Sequence, residues 1–325
     1  MVTSTNQHII SYFLKCCPKI RSFEKIKESR INKAFIELFL SENYLDTPQL
    51  FVCENKSMWK IGHKSREEQN QRRQNMKEKS DINKLLEGRC RGQGVEYVAF
   101  KKANESHSIG TATAIYDPIA GRTVDVLSMN EFRFFMITRF DPKVVEIKEQ
   151  MLMIPGLVAK AAAKNGFRIP TNILTTDFVV FYEDGTIKAF SVKSSKKIFD
   201  KERYKDKGKW RALVRRQKLE RDYWELLGVE WSIIYGDELN VMEAANIRAC
   251  LKCYNQQNVS TIDHMYRYLI AHHHVAVDLT QKIHFTKVAK ENEEEIRRLY
   301  KEVTDNGTKN CIGTRQNNLL RGNHL

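Results

Sequence analysis

Two runs rich in β-branched and aromatic residues, Thr176-Asp177-Phe178-Val179-Val180 and Phe190-Ser191-Val192-Lys193, enclose Glu183-Asp184-Gly185-Thr186. Strand-forming runs on either side of an Asp-Gly turn predict a β-hairpin, with Asp177 on one strand and Lys193 on the other. Its register decides what the hairpin can do, because a slip of one residue reverses every face. A two-residue turn at Asp184-Gly185 pairs Glu183 with Thr186 and sets Asp177 opposite Val192, aiming the acid away from Lys193. A three-residue loop, Glu183-Asp184-Gly185 with Gly185 left-handed in a G1 bulge, pairs Tyr182 with Thr186 and sets Asp177 opposite Ser191. Asp177, Ser191 and Lys193 then share a face, and Phe178, Val180, Tyr182, Phe190 and Val192 form an apolar surface on the other. The second register sorts polar from apolar side chains better and is the one expected.

A carboxylate beside a lysine on adjacent strands is the minimum for metal-dependent phosphodiester cleavage, and Glu131 is a candidate second acid. A helix is predicted from near Ser128 toward Phe140. Ser128-x-x-Glu131 before an apolar run is also a capping box, in which the glutamate satisfies backbone amides. A first-turn glutamate can also lie at the mouth of a neighbouring sheet, so the spacing leaves both roles open.

The 325 residues carry a formal net charge of +14, which favours an anionic partner such as nucleic acid or a membrane surface. From Lys193 to Arg221 there are thirteen Lys or Arg against four Asp or Glu. This strip starts at Lys193, passes Lys196 and Lys197, and runs into a helix bearing Arg215 and Arg216. A charge run alone reads as a solvated surface; beside a carboxylate–lysine pair it suits double-stranded DNA. No apolar run is long enough for a signal sequence or a membrane span, which predicts a cytoplasmic, nucleoid-associated protein with no membrane partner. The seven cysteines have no framework-like spacing and read as reduced thiols. Cys250-x-x-Cys253 followed by His272, His273 and His274 superficially suggests zinc, but there is no second cysteine pair and residues 244–254 look helical.

Residues 1–80 read as an N-terminal extension, partly helical, ending in a stretch too polar to bury. Residues 81–237 hold a glycine-rich loop from Glu87 to Gly94, a strand from Glu96 to Phe100, a hairpin around Asp117–Gly121, the helix after Ser128 and the Asp177–Lys193 hairpin. A long helix from about Trp210 to Leu227, stopped by Gly228, and a buried strand over 229–235 complete that domain. Helical patterns at 242–254, 262–271 and 291–303, with a short strand over 275–279, suit a helical or winged-helix-like module over 238–305. Residues 306–325 read as a flexible tail.

The ordered motifs Glu87-Gly88-Arg89 with Gly92-Gln93-Gly94, Leu127-Ser128 through Glu131, Thr176-Asp177-Phe178, Val192-Lys193 and Leu219-Glu220-Arg221-Asp222-Tyr223-Trp224 resemble the TnsA endonuclease subunit of heteromeric bacterial transposases. The resemblance covers residues 82 to about 240. It implies an α/β fold of the restriction-endonuclease type, a mixed sheet flanked by helices, and a subunit that cuts the 5′ ends of a transposable element. A separate transposase of the TnsB type would cut the 3′ ends, and an ATPase regulator of the TnsC type would contact the C-terminal module. It further implies Glu131 and Asp177 as Mg²⁺ ligands, with Mn²⁺ able to substitute, Lys193 as the catalytic lysine and Glu220 as a further metal-binding carboxylate. Ser191 departs from that family, which usually has Gln there; a serine hydroxyl is a poor metal ligand. A standalone restriction or repair nuclease, or a catalytically silent DNA-binding scaffold, are the other readings the residues allow.

Overall fold

The computed structural model describes residues 81–105 and 112–306, beginning with a short helix, α1 (Asp81–Leu86). The expectations for the N-terminal extension and for the tail after Asn306 lie outside the described residues.

The loop Glu183-Asp184-Gly185 closes the hairpin as its residue types require. The Tyr182 amide donates to the Thr186 carbonyl at 2.9 Å, the Gly185 amide donates back to the Tyr182 carbonyl at 3.0 Å, and Gly185 takes φ +85°. A side chain at Gly185 would be strained in that region, so the glycine fixes the loop length and through it the register. Strands β4 (Thr175–Tyr182) and β5 (Ile187–Lys193) pair Phe178 with Phe190 and Val179 with Ala189. That phase sets Asp177 opposite Ser191.

Strand β3 (Val144–Leu152) pairs antiparallel with β4, and β6 (Glu230–Tyr235) pairs parallel with β5, giving a four-stranded sheet in the order β3-β4-β5-β6. A separate hairpin of β1 (Thr113–Asp117) and β2 (Arg122–Val126) is tied to β3 where the buried Arg122 grips Glu149 through two hydrogen bonds of 2.8 and 2.7 Å. Such a pair costs desolvation but leaves no lone charge inside the protein.

Both sheet faces are covered. Helix α2 (Met129–Phe140) lays Phe134 on Phe178 and Phe190, with ring centroids 5.2 and 5.0 Å apart. On the other face, helices α3 (Pro155–Lys164) and α4 (Lys207–Leu226) pack Leu157, Val158, Ala161, Leu219, Tyr223 and Trp224 on Val179 and Ala189. The Asp177 face is therefore polar only at its end and apolar along the rest, and the site occupies the mouth of the sheet.

Three sequence expectations are corrected. Residues 97–99 form no strand: Tyr97, Ala99 and Phe100 are buried but run as irregular chain laid on β3, with the Phe100 amide bonded to the Gln150 carbonyl at 3.4 Å. β6 is half-exposed rather than buried, because it is an edge strand. Residues 275–279 make no strand beyond a single bridge at Val275. After β6 the described chain continues as helices α5 (Val241–Leu251), α6 (Ile262–Ala271), α7 (Phe285–Glu291) and α8 (Glu293–Asn306). Their Ile247, Leu251, Leu269, Ile270, Ile296 and Leu299 share one apolar cluster with Phe135, Phe178, Val180 and Val192 of α2 and the sheet. Cys250 and Cys253 are buried in this region, where burial pushes the Cys250 thiol up to about 12. His272 stacks on Tyr254 with its Nε2 2.8 Å from that residue's carbonyl.

Candidate active site

Asp177 is the hub. Its Oδ2 accepts from the Val192 amide at 2.8 Å, the Ser191 hydroxyl at 3.3 Å and the Lys193 ammonium at 3.3 Å. The ammonium also donates to Ser191 Oγ at 2.7 Å and to the Val192 carbonyl at 2.9 Å. Three donors on one oxygen fix the carboxylate plane, and the ion pair remains partly open, with side chains 20% and 21% exposed. Oδ1 is held far more loosely: Gln150 Nε2 approaches it at 3.4 Å. The register thus delivers one oxygen locked onto the lysine and one held only by the long contact from Gln150.

Glu131 does what the capping box predicts. Its amide donates to Ser128 Oγ at 3.2 Å, while its carboxylate accepts from the Leu127 amide at 2.9 Å and the Ser128 hydroxyl at 3.1 Å. It also interacts electrostatically with Asp177 and Lys193. Burial, and next the Asp177 charge, push its carboxyl up to about 7, against the Leu127 amide, the Ser128 hydroxyl and Lys193. Capping and proximity to the site coexist because the first turn of α2 abuts the end of the sheet. Gly236, after β6, is buried against the Asn130 side chain and has no room for a Cβ, while its amide bonds to the Lys193 carbonyl at 2.7 Å. This contact clamps the start of α2 to the end of β5.

Glu220 projects from α4 behind β4 and is 2% exposed. Arg216 lies 3.6 Å from its Oε2, and Oε1 has no hydrogen-bond partner. Burial pushes this carboxyl up to about 7; Arg216 opposes the shift, and the Asp177 charge adds to it. Above it, Trp224 Nε1 donates to Thr176 Oγ1 at 2.8 Å.

The four candidate DNA-contacting residues separate. Lys197 is exposed. Lys196 is exposed too, but paired with Glu238 at 2.8 Å. Arg215 lies over the Phe167 ring, 5.3 Å from its centroid. Arg216 turns inward, donating to the Thr175 carbonyl at 2.7 Å, so it braces the site.

Sequence reasoning missed Gln150, Thr175 and Lys101. Gln150 and Thr175 lie in or beside the interval 141–174, where no motif stood out. Lys101 follows the Glu87–Gly94 loop and interacts with Asp177 and Glu131. Desolvation, the larger effect, lowers its pKa even though the residue as a whole is solvent-exposed.

Among the described residues no three His, Cys, Asp or Glu side chains come together closely enough to enclose a metal ion. Glu131, Asp177 and Glu220 are therefore not a preformed cage. Mg²⁺ does not need one, since it keeps several waters and is commonly held by one or two carboxylates plus substrate phosphates. The loosely held Asp177 Oδ1, the nearby Glu131 and the unpartnered Glu220 Oε1 are hard oxygens of the type Mg²⁺ or Mn²⁺ prefers. The donor set fits such an ion.

Residues 141–236 match the family described as the TnsA-like endonuclease N-terminal domain. They hold β3 to β6, with Asp177, Ser191 and Lys193. This segment is a TnsA-like endonuclease domain, and the mixed sheet between helices is the restriction-endonuclease-like fold that such a domain implies. Over 171 residues the chain is 27% identical to the transposon Tn7 transposition protein TnsA of Escherichia coli, a match covering 50% of this chain and 59% of that TnsA. The chain thus spans about three fifths of that relative's length. No helix among the described residues is long and apolar enough to cross a membrane.

Proposed function

We propose that this chain is a Mg²⁺-dependent DNA endonuclease that cuts the 5′ ends of a transposable element, in concert with a separate transposase of the TnsB type and an ATPase regulator of the TnsC type. The observation that carries the reading is the division of labour at Asp177, with one oxygen locked to Lys193 and the other loosely held at the mouth of the sheet, inside a TnsA-like endonuclease domain.

Water attack on a phosphodiester builds negative charge on the nonbridging and leaving oxygens. A bound divalent ion would stabilise that charge and lower the pKa of its water. The residues that would hold it are Asp177 and Glu131, with Glu220 as a further carboxylate. The Lys193 ammonium, fixed by Ser191 and the Val192 carbonyl, is positioned to orient the attacking water or to meet the developing charge. Lys101 adds positive charge close enough to interact with Asp177 and Glu131. The basic strip after Lys193, with Lys197 exposed on it, supplies phosphate contacts that set register without reading bases.

The test is strand-specific cleavage of a duplex carrying an element end, in Mg²⁺, with and without the partner transposase and ATPase. Wild type should cut the 5′-end strand, while Asp177→Ala and Lys193→Ala should bind the duplex and leave it intact. Cutting that persists in both variants overturns the assignment. Cutting by the purified chain alone would favour the standalone nuclease.

A further inference from the structure

We propose that Gln150 is a ligand of the divalent cation, contributing its side-chain oxygen beside Asp177. The inference rests on the nuclease reading above and extends it to a residue that no motif pointed to.

In the β3/β4 register Glu149 pairs with Phe178 and Met151 with Thr176, so Gln150 stands across from Asp177, whose other neighbour is Ser191. Gln150, Asp177 and Ser191 form one row across three strands. Of its two flanking members, Ser191 is spoken for, since its hydroxyl accepts from Lys193 at 2.7 Å and a hydroxyl is a weak donor to Mg²⁺ in any case. Gln150 is the remaining neutral side chain of the row, with its amide next to Asp177 Oδ1.

The backbone is shaped for that placement. Gln150 has φ +46° in the interior of β3, a conformation that a residue with a Cβ adopts at a cost and that clusters at functional sites. The twist turns its carbonyl away from β4 to the Phe100 amide at 3.4 Å and the Cys90 thiol at 3.7 Å. The side chain, on a residue 2% exposed, faces Asp177.

The amide is held so that it can be reversed without loss. Thr175 Oγ1 donates to Gln150 Oε1 at 3.1 Å, and a hydroxyl accepts as readily as it donates. With no cation, Nε2 faces the carboxylate at 3.4 Å, long for a hydrogen bond to a charged group. With a cation on Oδ1, an N–H directed at the same space is repelled. A half-turn of the amide would aim Oε1 at the ion and let Nε2 donate to the Thr175 hydroxyl oxygen, so both ends of the amide would keep a partner. An amide oxygen is a hard ligand of the kind that coordinates such ions.

The test is Mn²⁺ binding to the full chain without DNA, followed by electron paramagnetic resonance of the free ion. Asp177→Ala should abolish site binding. Gln150→Ala should weaken it at least tenfold, and Gln150→Glu, which keeps an oxygen in place, should match wild type or bind more tightly. Gln150→Ala binding within twofold of wild type, or Gln150→Glu binding more weakly than wild type, overturns the proposal. If Gln150→Ala melts early and its loss is open to question, the Gln150→Glu result alone decides. Loss in Asp177→Ala but not in Gln150→Ala sinks only the role of Gln150; equal binding by wild type and Asp177→Ala sinks the nuclease reading as well.

Discussion

Glu131 and Ser128 hold each other through two hydrogen bonds, amide to hydroxyl at 3.2 Å and hydroxyl to carboxylate at 3.1 Å, and the carboxylate so fixed feels the charges of Asp177 and Lys193. A helix cap and a catalytic acid are usually taken as competing roles for one glutamate. Here the cap orients the carboxylate, which would serve both.

Glu131→Gln separates the two roles. The amide oxygen still accepts from Leu127, so the melting temperature should stay within a few degrees of wild type while cleavage falls at least a hundredfold. Glu131→Ala should lose the same activity and in addition about 1 kcal/mol of stability, the usual net worth of the hydrogen bonds its carboxylate returns to the cap. Thermal melts beside single-turnover cleavage measure both.

The raised carboxyl of Glu220 makes a signed prediction about pH. Its folded value of about 7 lies above the ordinary 4.5, so between those values the folded chain holds a proton that the unfolded chain has lost. Stability contributed by this group is present below 4.5 and is lost as pH rises through 7. Glu220→Gln, neutral throughout, should therefore match wild type at low pH and be more stable at pH 8 by on the order of 2 kcal/mol. Urea melts of the metal-free protein across pH 4.5 to 8 test it; parallel curves for the two proteins would show that Glu220 does not titrate in this range.

Gly236→Ala should cost about 1–3 kcal/mol and reduce cleavage, because the new methyl occupies the place of the Asn130 side chain. Asn130→Ala in the same chain should recover much of the stability, a coupling that a double-mutant cycle in urea would read.

Lys197 and Arg216 lie on one basic strip yet should behave differently. Lys197→Ala should lower the slope of log affinity against log salt by about 1 and leave the melting temperature unchanged. Arg216→Ala removes the hydrogen bond to the Thr175 carbonyl and the partner of Glu220, so its first effect should be a lower melting temperature.

What the sequence revealed and what it hid have a common physical cause. The Asp177 hairpin was legible because its loop chemistry is local: Gly185 fixes the turn, and the turn fixes which residues face Asp177. The capping box and the long helix ending at Gly228 were readable for the same reason. Strand β3 was not. Glu146, Lys148, Glu149 and Gln150 give it a polar look, and they are tolerated there because partners arrive from distant chain: the Gly94 amide to Glu146 at 2.9 Å, Lys148 to the Gly92 carbonyl at 3.2 Å, and Arg122 to Glu149. The segment 97–100 misled in the opposite sense, since apolar residues buried as irregular chain carry the same pattern as a strand. Gln150 fell in the interval 141–174, and its place beside Asp177 comes from a register set by another strand.

The apolar cluster that α5, α6 and α8 share with α2 and the sheet bears on how this protein would be handled by an assembly. Among the described residues these helices share one continuous apolar core with the sheet. Under the proposed function, a regulator that grasped them would also take hold of the sheet that carries Asp177 and Lys193, as a hand on a handle moves the blade, and trimming the chain after residue 237 would leave a raw oily face instead of a smaller working tool.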